Sequence, residues 1–223
     1  LADGVIFYSR RDADRFAEET GRYSEVFVAK NSLDQDPIRK AAAKWNDDAA
    51  ALAAFRSRHN LEDRPTILFV SRFKPDNRID LLIQAAARLR NKYDRLAVVL
   101  IGKGAEESGV NKQAAQLGIS DSLRIVGPLY EEEELAPWFI TADVFCYPSN
   151  LGLSALHAFG YGLPIVTDDD ETRSPPEWQV VVDGKTGLKY RHGEISHLVE
   201  ALDKLLENED LRIRLGAEGR RQV

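Results

Sequence analysis

The sequence predicts an α/β fold with a Rossmann-like parallel sheet and helices on both faces. Short apolar runs alternate with longer amphipathic segments along the 223 residues. Several runs are apolar almost throughout, as is typical of strands that are covered on both faces. The alternation itself indicates successive β-α-β units.

Seven apolar runs are candidate strands. They are Val5–Tyr8, Val26–Ala29, Ile67–Val70, Val98–Ile101, Arg124–Val126, Val144–Tyr147 and Ile165–Thr167. Helical periodicity fills the spaces between them, since Leu81, Leu82, Ala85, Ala86 and Leu89 share one helical face. We expect such faces to cover the sheet.

One segment, from Pro37 to His59, is rich in alanine and charge and contains no apolar run. It predicts one long connecting helix, and a turn-rich junction precedes it. We therefore expect residues 1–32 to belong to a different domain from residues 60–223.

Composition excludes several classes of protein. The net charge of −6 gives a nucleic-acid partner no bulk electrostatic support. Cys146 is the only cysteine, so there is neither an internal disulfide nor a zinc-ligand spacing, and a cytoplasmic location is the default expectation. No apolar run approaches the roughly 20 residues of a membrane span. The chain has no methionine, so we expect a fragment or a processed chain.

Ligands of open parallel sheets bind beyond the carboxyl ends of the strands, so the loops there are the candidate sites. The loop after the third run carries Ser71, Arg72, Lys74 and Arg78. Three cations within seven residues suit a diphosphate, although a solvated loop before a helix would look the same.

Two further loops carry weaker signals. Gly102, Lys103 and Gly104 follow the next run, where glycines either admit a ligand or simply serve a tight turn. Gly127 and Tyr130 follow the run after that. Tyr130 could stack on a base, or it could be an exposed aromatic residue of a turn.

The loop after Val144–Tyr147 is the most informative. It contains Ser149, Asn150 and Gly152, and a helix is predicted to begin near Gly152–Leu153. The free amides of a helix start attract phosphate. His157 would lie one turn into this helix, where a purely structural role is the alternative.

An acidic run follows the last candidate strand. Asp168 and Asp170 form an Asp-x-Asp pattern that can hold a divalent metal, but a solvated acidic loop is the favoured interpretation. Glu177 follows two prolines and is predicted to begin a helix.

Taken in order and spacing, five segments resemble the C-terminal domain of family 4 glycosyltransferases, which are retaining enzymes of the GT-B fold. They are Ile67–Ala86, Val98–Gly104, Ser122–Gly127, Leu135–Thr167 and Asp183–Tyr190. Leu1–Asp34 resembles the end of the family's N-terminal domain and its crossover. The resemblance therefore implies a remnant of that domain at residues 1–34 and a C-terminal nucleotide-sugar-binding domain at residues 35–223. The resemblance implies one half of a GT-B fold, the half that holds most of a nucleotide-sugar donor.

The resemblance also implies roles for residues. Arg72 would contact the diphosphate, and the backbone around Gly127 would meet the base. Amides of residues 152–154 would bind phosphate, and Glu177 matches the glutamate of a Gly-Gly-x-Pro-Glu turn whose glycines are absent. The full predicted donor-binding set is Ser71, Arg72, Lys74, Arg78, Gly102, Lys103, Gly104, Gly127, Tyr130, Ser149, Asn150, Gly152, Leu153, Ser154, His157 and Glu177.

The sequence departs from the family pattern at three positions. The family has two glutamates eight positions apart around the fourth loop, and here Ser149 and His157 stand in their places. The family's lysine of the first loop falls on Asn77, so that Lys74 or Arg78 would have to supply its charge.

The predicted function is transfer of a sugar from a nucleoside-diphosphate sugar to an acceptor with retention, without a cofactor or metal. The predicted partners are the nucleotide-sugar and an N-terminal acceptor domain of the same enzyme. That domain would carry the catalytic base, so this chain would bind donor without catalysing transfer. Bacterial surface-polysaccharide assembly in the cytoplasm, with peripheral attachment to the inner membrane face through that domain, is the family-level expectation.

Three alternatives remain open from the sequence. A non-catalytic nucleotide-sugar-binding module would explain the missing glutamates. A sugar epimerase of the same fold would need catalytic carboxylates near the fourth loop. A metal-dependent GT-A glycosyltransferase would use Asp168 and Asp170.

Overall fold

A computed structural model describes residues 3–223, and these contain eight strands and nine α-helices. The strands are β1 (Val5–Phe7), β2 (Val26–Val28), β3 (Thr66–Val70), β4 (Ala97–Ile101), β5 (Leu123–Gly127), β6 (Val144–Tyr147), β7 (Ile165–Asp168) and β8 (Gly187–Tyr190). The helices are α1 (Arg10–Thr20), α2 (Asp36–Asp47), α3 (Ala49–Arg58), α4 (Ile79–Leu89), α5 (Glu107–Gln116), α6 (Glu132–Thr141), α7 (Ser154–Gly160), α8 (Ile195–Glu207) and α9 (Glu209–Arg220).

Six strands form one parallel sheet in the order β5-β4-β3-β6-β7-β8. Its central strands are fully buried, as Ile67, Leu68 and Phe69 in β3 illustrate, because helices flank the sheet. The predicted α/β class is confirmed. The chain order reverses beside β3, which has β4 on one side and β6 on the other, so the crevice at the carboxyl ends of these strands is the expected ligand position.

The N-terminal unit is separate in its strand pairing. β1 pairs only with β2, in parallel and in register from Val5↔Val26 to Phe7↔Val28, and α1 connects them. Ile6 and Phe27 are more than half exposed on this small sheet. The division at residue 34 stays a prediction, and Leu1 and Ala2 lie outside the described residues.

The predicted single helix from Pro37 to His59 is wrong. Asp48 leaves the helical conformation, with φ −114° and ψ 76°, and separates α2 from α3. Its carboxylate accepts a hydrogen bond from the Ala51 amide at 2.8 Å and so caps α3. An aspartate that caps a second helix is therefore what divides the segment.

Strand β8 is not among the strands predicted from the apolar runs. This strand begins at Gly187, where a Cβ atom would lie 2.3 Å from the carbonyl oxygen of Ile165 in β7. The glycine thus permits close strand pairing, but it also hides the strand in the sequence pattern. None of the described helices is both long enough and apolar enough to cross a bilayer.

Candidate binding site at the carboxyl ends of the strands

Two cavities open at the carboxyl ends of the large sheet. The first, here called the β4 cavity, has a volume of about 690 Å³. It is lined by Val70, Ser71, Arg72, Ile101, Gly102, Lys103, Gly104, Glu107, Pro128, Leu129 and Tyr130. The second, the His192 cavity, has about 350 Å³ and is lined by Pro75, Asp76, Arg78, Ser149, Asn150, Arg173 and His192.

Two glycines allow the loops of the β4 cavity to touch. Gly102 has φ 139°, and a Cβ atom there would lie 1.9 Å from the carbonyl oxygen of Ser71. At Gly104 a Cβ atom would lie 2.2 Å from the carbonyl oxygen of Phe73, whose amide donates to the Lys103 carbonyl at 3.0 Å. The glycines are thus required for packing of the loops, whether or not a ligand is bound.

The same contact brings two cations to one cavity. Arg72 and Lys103 are both exposed and both line it, and neither has a carboxylate partner within the described part of the chain. Tyr130 lines the cavity from the loop after β5 and is 79% exposed. Unpaired cations beside an exposed aromatic ring can bind an anionic group and a flat ring together.

The remaining residues of the first loop are differently engaged. Asn77, at the position of the family's lysine, is 2% exposed and donates to the Arg72 carbonyl at 2.7 Å, so it fixes the loop. Arg78 binds Asp80 through Nε and Nη2 at 2.9 and 3.0 Å, and this hydrogen bonding raises its pKa. Lys74 is exposed and lines neither cavity.

The fourth loop is tied to the first by side chains. The Tyr147 hydroxyl donates to Ser71 Oγ at 2.9 Å, and Ser154 Oγ donates to the Val70 carbonyl at 3.1 Å. Asn150 adopts φ 63° and its amide lies 3.4 Å from Asn77 Oδ1. Because α7 begins at Ser154, the predicted helix start is confirmed to within two residues.

His157 lines neither of these two cavities. The Nε2 of His157 donates to Glu132 Oε1 at 2.8 Å, and the Tyr161 hydroxyl donates to the same oxygen at 2.5 Å. The ring centre of His157 lies 4.6 Å from that of Phe139. Burial would raise the pKa of Glu132, but these two hydrogen bonds hold it below the ordinary value. The structure thus supplies a carboxylate partner from α6, and a role for His157 in donor binding stays a prediction.

Glu177 lies at a third cavity, of about 460 Å³, near the junction with the N-terminal unit. It belongs to a short 3₁₀ helix (Pro176–Val180), is 7% exposed, and accepts a hydrogen bond from the Asn31 amide at 2.6 Å. Tyr8 and Leu156 line the same cavity. Glu177 therefore connects the segment before residue 35 to the main sheet.

The acidic run after β7 does not converge on one point. Asp168 is fully buried with Oδ2 2.5 Å from His192 Nδ1, whereas Asp170 accepts hydrogen bonds from Thr172. Burial raises the pKa of Asp168, while His192 and Ser149 act to lower it. No group of three acidic, histidine or cysteine side chains suited to a metal occurs within residues 3–223.

The predicted donor-binding residues are therefore distributed over several places. The β4 cavity takes Ser71, Arg72, Gly102, Lys103, Gly104 and Tyr130, and the His192 cavity takes Arg78, Ser149 and Asn150. Gly127 has φ 90°, and its carbonyl accepts from the Gly102 amide at 2.9 Å. His192 was missed, since it follows the strand that the sequence pattern hid.

Comparison with known proteins identifies relatives over nearly the whole chain. A family model described as "Glycosyl transferases group 1" matches residues 53–222. The chain is 29% identical to a GDP-mannose-dependent alpha-(1-6)-phosphatidylinositol monomannoside mannosyltransferase of Mycobacterium tuberculosis, over 99% of this chain and 57% of that protein. It is 35% identical to a D-inositol 3-phosphate glycosyltransferase of Frankia alni, over 97% and 55%.

Solved structures give the same fold. HepE of Anabaena, in complex with UDP and glucose, matches with a TM-score of 0.78 and 17% identity, over 100% of this chain and 58% of that one. The chain spans a little over half the length of the curated relatives it matches. It belongs to the glycosyl transferases group 1 family.

Proposed function

We propose that this member of the glycosyl transferases group 1 family forms the donor-binding half of a retaining glycosyltransferase. The observation that carries the proposal is the β4 cavity, where the unpaired cations Arg72 and Lys103 face the same space as Tyr130. The cations suit a diphosphate, and the tyrosine offers a face for the base. Relatives that use GDP-mannose or were solved with UDP support this assignment.

The proposed reaction transfers a sugar from a nucleoside diphosphate to an acceptor hydroxyl. The bond between the anomeric carbon and the diphosphate breaks, and negative charge grows on the leaving group. The acceptor oxygen forms a new bond to the anomeric carbon and gives up its proton to a base. Arg72 and Lys103 stabilise the charge on the leaving group electrostatically from loops whose backbones are held together by the contacts of Gly102 and Gly104. No metal or other cofactor is needed in this scheme.

Acceptor binding belongs, in this proposal, to an N-terminal domain of the same enzyme. The chain covers only 57% and 55% of the two curated relatives, and residues 3–34 provide just one β-α-β unit. We infer that the catalytic base lies in that domain, together with any attachment to the cytoplasmic face of a membrane. The isolated chain then binds donor but does not turn it over.

Calorimetric titration of the chain with UDP, GDP and ADP and their sugar conjugates tests the donor site. We expect at least one nucleotide to bind, and Arg72→Ala to weaken its binding about tenfold or more, since hydrogen bonds to charged groups contribute about 1.5–3 kcal/mol. Lys112→Ala is the matched control, because Lys112 is exposed on α5, away from both cavities. Absence of binding to every nucleotide would refute the donor-half assignment.

A non-catalytic nucleotide-sugar-binding module is the second candidate. Ser149 and His157 replace the two glutamates of the family pattern, and His157 is engaged by Glu132. This candidate predicts the same nucleotide binding but no transfer by the full-length protein. Transfer of radiolabelled sugar by the full-length protein decides between the two.

A further inference from the structure

The His192 cavity contains a histidine–carboxylate pair that the β4 cavity lacks. It lies at the carboxyl ends of β3, β6, β7 and β8, and the loop from Arg72 to Arg78 connects it to the β4 cavity. Arg72 of this loop lines the β4 cavity and Arg78 lines the His192 cavity, so the two spaces lie along the same loop.

Asp168 orients the imidazole of His192 through a contact with Nδ1. Its Oδ2 lies 2.5 Å from His192 Nδ1, and the neighbouring Asp169 carboxylate accepts from the His192 backbone amide at 2.9 Å. These contacts follow from the register of β7 and β8, which places Asp168 beside Tyr190. Asp168 Oδ1 is buried without a well-directed hydrogen bond to any described residue, although the Ser149 hydroxyl is near enough to lower the pKa of the carboxyl.

This arrangement leaves His192 Nε2 as the free polar atom of the ring. A carboxylate can only accept, so in the neutral ring Nδ1 carries the proton and Nε2 is an acceptor. Nε2 has no hydrogen-bond partner among residues 3–223, and the side chain is 29% exposed at the cavity wall. A ligand hydroxyl can therefore donate to it.

The other groups on the cavity wall complement this acceptor. Arg78 uses Nε and Nη2 for Asp80, and its Nη1 has no hydrogen-bond partner among the described residues. Ser149 and Asn150 add a hydroxyl and an amide to the wall. Sugar hydroxyls both donate and accept, so a wall with both functions suits them.

The charges of the cavity favour a neutral ligand group over an anion. Arg173 is paired with Asp170 at 3.2 Å, Arg78 with Asp80, and Asp76 adds a further negative charge at the wall. A phosphate would meet no unpaired cation here, in contrast to the β4 cavity.

We propose that His192, oriented by Asp168, accepts a hydrogen bond from a hydroxyl of the donor sugar and so helps to determine which sugar is bound. The inference rests on the proposed donor function. His192 is a specificity-determining residue in this assignment, and Asp168 is a positioning residue that acts through it.

The test measures the contribution of the sugar to binding. The dissociation constant of UDP divided by that of UDP-glucose gives this contribution, and the ratio of GDP to GDP-mannose is measured in parallel. We expect the better-binding pair to give a ratio above one, and His192→Ala to lower it about 3- to 10-fold, the range of one hydrogen bond. Affinity for the free nucleotide should stay unchanged, and His197→Ala, on α8, should alter neither value.

The outcomes separate the inference from the function on which it rests. Nucleotide binding with a ratio near one, or with a ratio that His192→Ala leaves unchanged, overturns the inference only. Failure of the wild-type chain to bind any of UDP, GDP and ADP or their sugar conjugates overturns the proposed function and this assignment with it.

Asp168→Asn tests the positioning role. An asparagine keeps the shape but can also donate from its amide, so the ring is no longer held with its proton on Nδ1. We expect nitrogen NMR of the imidazole to show a shift toward the Nε2–H tautomer, and the sugar ratio to fall as in His192→Ala. In the double variant the ratio should fall no further. An unchanged tautomer, or a further fall in the double variant, would show that Asp168 does not act through His192.

Discussion

The two sides of the crevice hold their basic groups in opposite ways. On the side of β4 and β5, Arg72 and Lys103 reach the cavity without an acidic partner in the described chain. On the side of β6 to β8, each basic group of the cavity wall has an acidic partner. The pairs are Arg78 with Asp80, Arg173 with Asp170 and His192 with Asp168. Unpaired cations attract a charged ligand, whereas paired ones offer directed hydrogen bonds with little net charge. The comparison predicts that the diphosphate binds on the side of β4 and β5 and that the sugar binds on the side of β6 to β8.

The largest expected effect comes from breaking the loop contact that forms the charged side. Gly102→Ala places a Cβ atom against the Ser71 carbonyl at a backbone conformation that alanine rarely adopts. We expect a loss of about 3 kcal/mol in the free energy of unfolding, measured by chemical denaturation, together with loss of nucleotide binding. Gly109→Ala is the control, since it lies in α5 with open space at its Cβ and should be neutral or slightly stabilising. Equal stability of the two variants would contradict the loop geometry.

An unpaired arginine should contribute more to nucleotide binding than a paired one. Arg72→Ala should weaken nucleotide binding about tenfold or more, and Arg78→Ala by less than about threefold, because Asp80 already compensates the charge of Arg78. Calorimetry at two salt concentrations measures both. If Arg78→Ala were the more damaging change, the diphosphate would have to lie on the side of the His192 cavity.

Features that depend on neighbouring residues could be predicted from the sequence, whereas contacts between residues far apart in the chain could not. The seven apolar runs all became strands, and in central strands such as β3 and β4 burial on both faces accounts for the local pattern. Gly187 and Lys189 interrupt that pattern, so β8 was missed, and with it the pairing of Asp168 with His192. The partner of His157 was equally hidden, since Glu132 lies 25 residues away on another helix. Loops could be located from the sequence, but the direction of their side chains depends on strand register and helix packing.

Restoring the glutamate of the family pattern at position 157 should destabilise this protein. His157→Glu would place a carboxylate where the ring now donates to Glu132, so two negative charges would share one partly buried site. We expect destabilisation of about 2 kcal/mol at neutral pH. The repulsion raises the pKa of the pair in the folded state, so stability should recover as the pH falls from that raised value toward the unfolded-state value. Adding Glu132→Gln should rescue the variant, and denaturation curves at pH 4.5 and 7.5 measure both effects.

The smallest effect concerns Lys189, on the side of the sheet that holds the His192 cavity. Its ammonium lies 3.0 Å from the ring centre of Trp178, and burial lowers its pKa from 10.5 to about 8. Between these two values the unfolded chain binds more protons than the folded one, so this lysine makes the free energy of unfolding rise with pH. Lys189→Met should remove that rise and stabilise the protein more at pH 7 than at pH 9.5. Lys185→Met, at an exposed position of the preceding turn, should show no such difference. If both variants changed stability equally at the two pH values, the ammonium of Lys189 would have to be solvated. It would then be an unpaired cation on the side of the crevice that holds the His192 cavity, as Arg72 and Lys103 are on the side of the β4 cavity.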